Sequence, residues 1–184
     1  MTSKDRVPAS PQGSASAMHP QNVIPDKERD QNKTTVRRIL EAFNKGDPSI
    51  IDQLVHPSMR DHNPPPGVQP GLEGMKQQIK LLHTGFPDLR FEEDSLIAEG
   101  DMVFLRWKMT GTHTGPYFFG TAPTGKRVVH FGHELLRLKD GKIIEHRDMV
   151  DPLIFFDKLG LLDDKMLAQM SSVGLRVYDT EPYR

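Results

Sequence analysis

Residues 140–159 read DGKIIEHRDMVDPLIFFDKL, and the rest of the chain is best understood from this run. Asp140-Gly141 is a strong two-residue turn signal. A strand-like stretch follows from Ile143 to Asp148, then Pro152 where the first turn of a helix accepts proline, then an apolar helical pattern. Side chains alternate along a strand, so Ile144, His146 and Asp148 are expected on one side, with Ile143, Glu145 and Arg147 on the other. An apolar side chain, an imidazole and a carboxylate on one face would give a cavity its titratable groups. The same residues also suit a salt-bridged strand end at the surface, and this stretch alone leaves both open.

Upstream, the period-two pattern recurs. Leu89 and Phe91 open a strand, Ser95 to Ala98 and Met102 to Thr110 follow around a Glu99-Gly100-Asp101 turn, and Arg127 to Leu138 forms a long strand. Val103, Leu105, Trp107 and Met109 alternate with Phe104, Arg106 and Lys108, as in a strand with one wet face. Between the strands lies a Gly-rich excursion, GTHTGPYFFGTAPTG from Gly111 to Gly125, whose aromatics Tyr117, Phe118 and Phe119 read as exposed.

Further upstream the period is helical. Thr34 or Thr35 is placed to cap a helix with the stripe Val36, Ile39, Leu40, Phe43, and Asn44 to Asp47 ends it. Pro48 opens a short second helix through Leu54, and Gly71 to Leu82 is a third with Leu72, Met75, Ile79 and Leu82 inward. Between these, HPSMRDHNPPPGVQPG reads as a loop carrying His56, Asp61, His62 and Asn63. Asx-turn chemistry is the plainer role for Asp61 and Asn63. Residues 1–33 lack periodicity and are expected to be a disordered extension, with one domain over 34–162 and a C-terminal extension over 163–184. Helices first and antiparallel strands after predict an α+β fold, a curved sheet with helices over one face, leaving a cone for a ligand.

The composition narrows the function. A net charge of −1 argues against nucleic-acid binding through bulk charge, and the absence of Cys removes disulfides and thiolate sites. No apolar run is long enough for a membrane span, and the first residues lack the apolar core of a secretory signal, so a soluble cytoplasmic protein is expected. Nucleotide-binding and serine-hydrolase motifs are absent. His130 and His133 fall on opposite faces of a strand, so no metal site is expected from them together. Acid–base chemistry fits better. If His130, Glu134, His146 and Asp148 point into one apolar cone, desolvation and like charge would raise a carboxylate's pKa. The competing arrangement pairs Glu134 and Asp148 with Arg106, Arg137 or Arg147 in a structural role.

Residues from about 34 to 162 resemble the SnoaL-like polyketide cyclase (ester cyclase) branch of the nuclear transport factor 2-like superfamily, which also holds ketosteroid isomerase and scytalone dehydratase. The resemblance rests on VRRILEAFNKGD, FPDLRF, GTHTGPYFFGTAPTGKRV and HELLRLKDGKIIEHRDMVDPLIFFDKLGLL in that order. It implies a strongly bent, helix-covered sheet, a homodimer through the sheet's outer face, and cofactor-free aldol closure of a small polyketide-like ester. The family's acid–base aspartate maps onto Asp148 of His146-Arg147-Asp148, its polar strand position onto Glu134, and its pocket-loop Asn onto Asn63, with His62 as a second choice. That strand position is often His in cyclases, so Glu134 departs from the pattern. On this reading Asp148 moves the proton while His146, His130 or Asn63 bonds the enolate oxygen, and the carbon skeleton lies against Trp107, Phe104 or Phe118. Core or dimer packing is the alternative for Trp107. For the whole protein the alternatives are a non-catalytic binding module, or a dehydratase or hydrolase of the same superfamily.

Overall fold

The computed structural model describes residues 25–65, 67–117, 120–165 and 168. In chain order the elements are α1 (Asp26–Lys45), a 3-10 turn (Pro48–Ile50), α2 (Ile51–Leu54), β1 (Val55–Asp61), α3 (Gly71–Gly85), β2 (Arg90–Glu99), β3 (Met102–Thr112), β4 (Arg127–Lys139), β5 (Lys142–Val150) and α4 (Pro152–Leu159). The strands form one mixed sheet in the order β1-β5-β4-β3-β2. β1 runs parallel to β5, and the other neighbours are antiparallel. The expected α+β architecture is present.

The core lies between the helices and one face of this sheet. Val103, Leu105, Trp107 and Met109 of β3 and Leu136 and Leu138 of β4 pack with Val36 and Ile39 of α1 and with Leu72, Met75 and Ile79 of α3. Each fully buried aliphatic side chain of this kind contributes about 1.5–3 kcal/mol. The other face is mixed. It carries Arg106–Asp94 and Lys108–Glu92 ion pairs beside exposed Ile97, Val129 and Met149.

Three local expectations are corrected. α1 begins at Asp26 behind Pro25, inside the stretch assigned to the extension, with Asp26 and Glu28 in its first turn, where carboxylates suit the helix dipole. Thr34 and Thr35 are interior to it. Thr34 donates to the Asp30 carbonyl, and Thr35 donates to the Gly141 carbonyl at 3.0 Å, tying α1 to the β4–β5 turn. Secondly, the stretch read as a loop contains strand β1, tolerated despite Pro57 because it is an edge strand. Thirdly, Leu138 pairs with Ile143 but Arg137 with Glu145, so Ile144 is the extra residue of a bulge. The bulge resets the alternation, and Ile143, fully buried, shares the inner face with His146 in place of Ile144.

The β4–β5 turn is as read. Asp140 and Gly141 both have positive φ (51° and 73°), as a type I′ hairpin requires.

Candidate active site

Four side chains from three strands meet at the polar end of a cavity. β4 sends in Glu134, and β5 sends in Asp148, its direct cross-strand partner, together with His146. β1 places Asp61 opposite His146. The cavity measures about 420 Å³, and its walls include Phe43 of α1, Met75 of α3, Phe91 of β2, Trp107 and Met109 of β3, and Phe155 of α4. That is within the range of small-molecule pockets, with an apolar body and few polar groups.

The hydrogen bonds at this end are specific. His146 Nδ1 lies 3.3 Å from Asp61 Oδ1, and Nε2 lies 3.9 Å from Glu134 Oε2. Glu134 Oε1 accepts from the Trp107 indole N–H at 3.1 Å. Asn63 clamps Asp148 from both sides: its amide nitrogen donates to Oδ1 (2.8 Å) and to the backbone carbonyl (2.7 Å), while its oxygen accepts the Asp148 N–H (3.1 Å).

Burial dominates the electrostatics. It pushes the Glu134 carboxyl above its ordinary range, helped by the charges of Asp148 and Asp61 and opposed by His146 and the Trp107 hydrogen bond. Asp148 is raised for the same reason, against the pull of His146 and Asn63. For His146, burial favours the neutral ring, but Asp61, Glu134 and Asp148 outweigh it and raise the pKa. Asp61 goes the other way: despite burial, the bond and charge of His146 hold it ionised. His130 sits further along β4 between Trp107 and Phe155, and burial, with Lys158 nearby, lowers it to about 4.

The alternative of structural ion pairs is not realised. Arg106 pairs with Asp94, Arg137 with Asp101 and Glu145, and Arg147 bonds His62. Among the described residues neither Glu134 nor Asp148 has an Arg partner. Nor is any group of three or more His, Cys, Asp or Glu among them arranged to hold a metal ion.

Asp148, His146, Glu134, Asn63, His130 and Trp107 all line the cavity. Two candidates do not. Phe104 belongs to the alternate set on β3 and stacks on His133 on the outer face, with ring centroids 5.6 Å apart. His62 is one position past Asp61 and faces the other way, accepting from Arg147 at Nδ1 and donating from Nε2 to Glu145 (2.9 Å). Phe118 lies outside the described residues. Tyr117, read as exposed, instead turns inward against Phe86 and Phe155 and lines the cavity. Sequence reasoning passed over Asp61 as a site residue. Its signal was a carboxylate two residues before Asn63, legible only once β1 is known to be a strand beside β5.

Known proteins share this architecture. The family model for SnoaL-like polyketide cyclases matches residues 33–159. Aklanonic acid methyl ester cyclase DnrD of Streptomyces peucetius is 30% identical over 131 residues, spanning 68% of this chain and 88% of that protein. Nogalonic acid methyl ester cyclase of Streptomyces nogalater is 30% identical over 117 residues, spanning 61% and 85%. The structure of TsrD from Streptomyces laurentii superimposes with a TM-score of 0.66 at 31% identity, covering 73% of this chain and 98% of that one. With the family model spanning most of the chain and the fold matching over 73% of it, this protein belongs to the SnoaL-like polyketide cyclase family.

Proposed function

We propose that this protein closes a ring in a small polyketide-like ester by intramolecular aldol addition, with Asp148 as general acid and base. The observation that carries the reading is one carboxylate, raised by burial, clamped by Asn63 and facing an apolar cavity. Asp148 takes a proton from the carbon α to a carbonyl, and the enolate carbon attacks a second carbonyl of the same molecule. A C–C bond forms, the attacked carbonyl becomes an alkoxide, and the protonated Asp148 returns its proton to that oxygen. No atoms are gained or lost. His146 Nε2, opposite Glu134, is the donor available to the enolate oxygen, and such donors act strongly in a water-poor site. The carbon skeleton lies against Trp107, Phe91 and Phe155.

The relatives' names, methyl ester cyclases of aklanonic and nogalonic acid, support a polyketide ester as the substrate class. The apolar side chains on the outer sheet face, with Ile97 61% exposed and Met149 47% exposed, support pairing of two copies through that face. The test is incubation with a polyketide methyl ester and analysis of the product by mass. A cyclised product of unchanged mass supports the reading, whereas loss of 18 Da, roughly one water, indicates a dehydratase. Absence of turnover with retained binding indicates a binding module.

A further inference from the structure

Asp61 is the one acid of this cluster that does not line the cavity. Its side chain is 3% exposed, behind His146 as seen from the ligand space. Oδ1 accepts the Asn63 backbone N–H (3.3 Å) and faces His146 Nδ1 at the same distance. A carboxylate ionised in this position can only accept, so Nδ1 must carry its proton. The ring's second nitrogen then stands alone on the cavity side, 3.9 Å from Glu134 Oε2 and on the same face as Asp148.

We propose that Asp61 is a positioning residue for the cavity's acid–base groups: by accepting the Nδ1 proton of His146, it commits Nε2 to the cavity side and keeps a proton there at neutral pH. The inference rests on reading the cavity as an acid–base site, and it explains how two buried carboxylates coexist there. With Asp61 ionised behind it, His146 holds Nε2–H, a charged donor that stabilises a negative carboxylate in front. Without that charge the ring would give up its proton to the desolvated environment, and the carboxylates would lose their neighbouring cation. The charges packed around His146 are consistent with this. β1 contributes Asp61, β4 contributes Glu134, and β5 contributes Asp148. Arg137, Glu145, Arg147 and His62 are engaged with one another on the opposite face.

The test is a ¹⁵N-detected imidazole titration of the full-length protein without substrate, the His146 signals being those that vanish in His146→Gln. The expected wild-type result is a midpoint above about 6.5, the ordinary histidine value, with Nε2 and not Nδ1 losing the proton. Asp61→Asn keeps the shape and removes the charge. It should lower the midpoint by about one unit or more, a roughly tenfold loss of proton affinity, and Asp61→Glu should recover most of it. A wild-type midpoint at or below about 6.5, or deprotonation at Nδ1, overturns the proposal, as does a folded Asp61→Asn protein with an unmoved midpoint. Should Asp61→Asn not fold, the wild-type and Asp61→Glu titrations decide alone. Because no substrate is present, a protein that titrates as expected but cyclises nothing retires the proposed function and leaves this inference standing.

Discussion

The indole of Trp107 lies over Gly132, its cross-strand partner, so closely that a Cβ at 132 would overlap Cζ2, stand 2.5 Å from Cη2 and stand 2.7 Å from a Val150 methyl. From that seat the ring donates to Glu134 and meets Phe91 edge-on at 5.0 Å. The glycine therefore contributes to the site by what it omits. It lets an aromatic wall lie flat beside the carboxylate it bonds.

Gly132→Ala should displace Trp107 and cost about 1–3 kcal/mol of stability through overpacking. Trp107 is the protein's sole tryptophan, so its emission reports on this site without deconvolution. A shifted emission maximum and a lower denaturation midpoint are expected. An unchanged spectrum in a fully stable variant would show that the notch does not seat the ring.

Asp148→Asn should lower kcat by about 10²–10⁴-fold, the usual worth of positioned proton transfer. Stability at pH 7 should hold or rise. Asp148 is raised by burial, so its folded form favours the proton, and ionisation above the unfolded pKa works against the fold. Removing the charge removes that penalty. Chemical denaturation and steady-state kinetics on the same preparation check both halves, and full turnover would end the assignment.

Acid should destabilise the protein through His130. Its folded pKa, about 4, lies below the unfolded value, so the contribution is intact above about 6.5 and is lost as pH falls toward about 4. Its size is on the order of 3 kcal/mol. The raised carboxylates act with the opposite sign in the same window, so the comparison must be between variants. His130→Phe should flatten the acid limb of stability against pH, and an identical limb would contradict the assignment.

Asp151 caps α4, accepting the N–H groups of Leu153 (2.9 Å) and Ile154 (3.3 Å). Asp151→Ala should cost about 1 kcal/mol. Because α4 carries Phe155 and Phe156 to the cavity, KM should rise more than kcat falls. A kcat loss at constant KM would argue against α4 as a binding wall.

If two copies pair through the outer sheet face, Ile97→Glu should move the protein from dimer to monomer in sedimentation velocity at micromolar concentration. Inner-face chemistry should be unaffected at the level of His146. Dimers that persist would place the interface elsewhere.

Much of this was legible in the sequence because it depends on local period. The alternation of Val103, Leu105, Trp107 and Met109 and the stripe of α3 needed no partner to be recognised. Nor did the shared face of His130 and Glu134, opposite His133. What escaped depends on distant pairing. β1 has no clean alternation and contains Pro57; it is a strand only because β5 lies beside it. The bulge at Ile144 is a register event between β4 and β5, invisible to a period-two count. Phe104 was a candidate by residue type, although the strand pattern already put it with the wet set. Tyr117 sits in a Gly-rich stretch without periodicity, where only tertiary packing against Phe86 fixes its direction.

The parallel junction of β1 with β5 also sets a timetable. Asp61 and His146 are 85 residues apart, and Asp148 lies further on still. A nascent chain can complete the β2–β3–β4 meander and bury much of its apolar interior before β5 has left the ribosome. Until then Glu134 has neither its histidine nor its sister acid. Glu134, His146 and Asp148 meet through a two-residue hairpin, whereas the long loop that brings Asp61 to His146 closes slowly by comparison, so the acid behind the histidine is expected to be the last of the four to arrive, on a scaffold already standing.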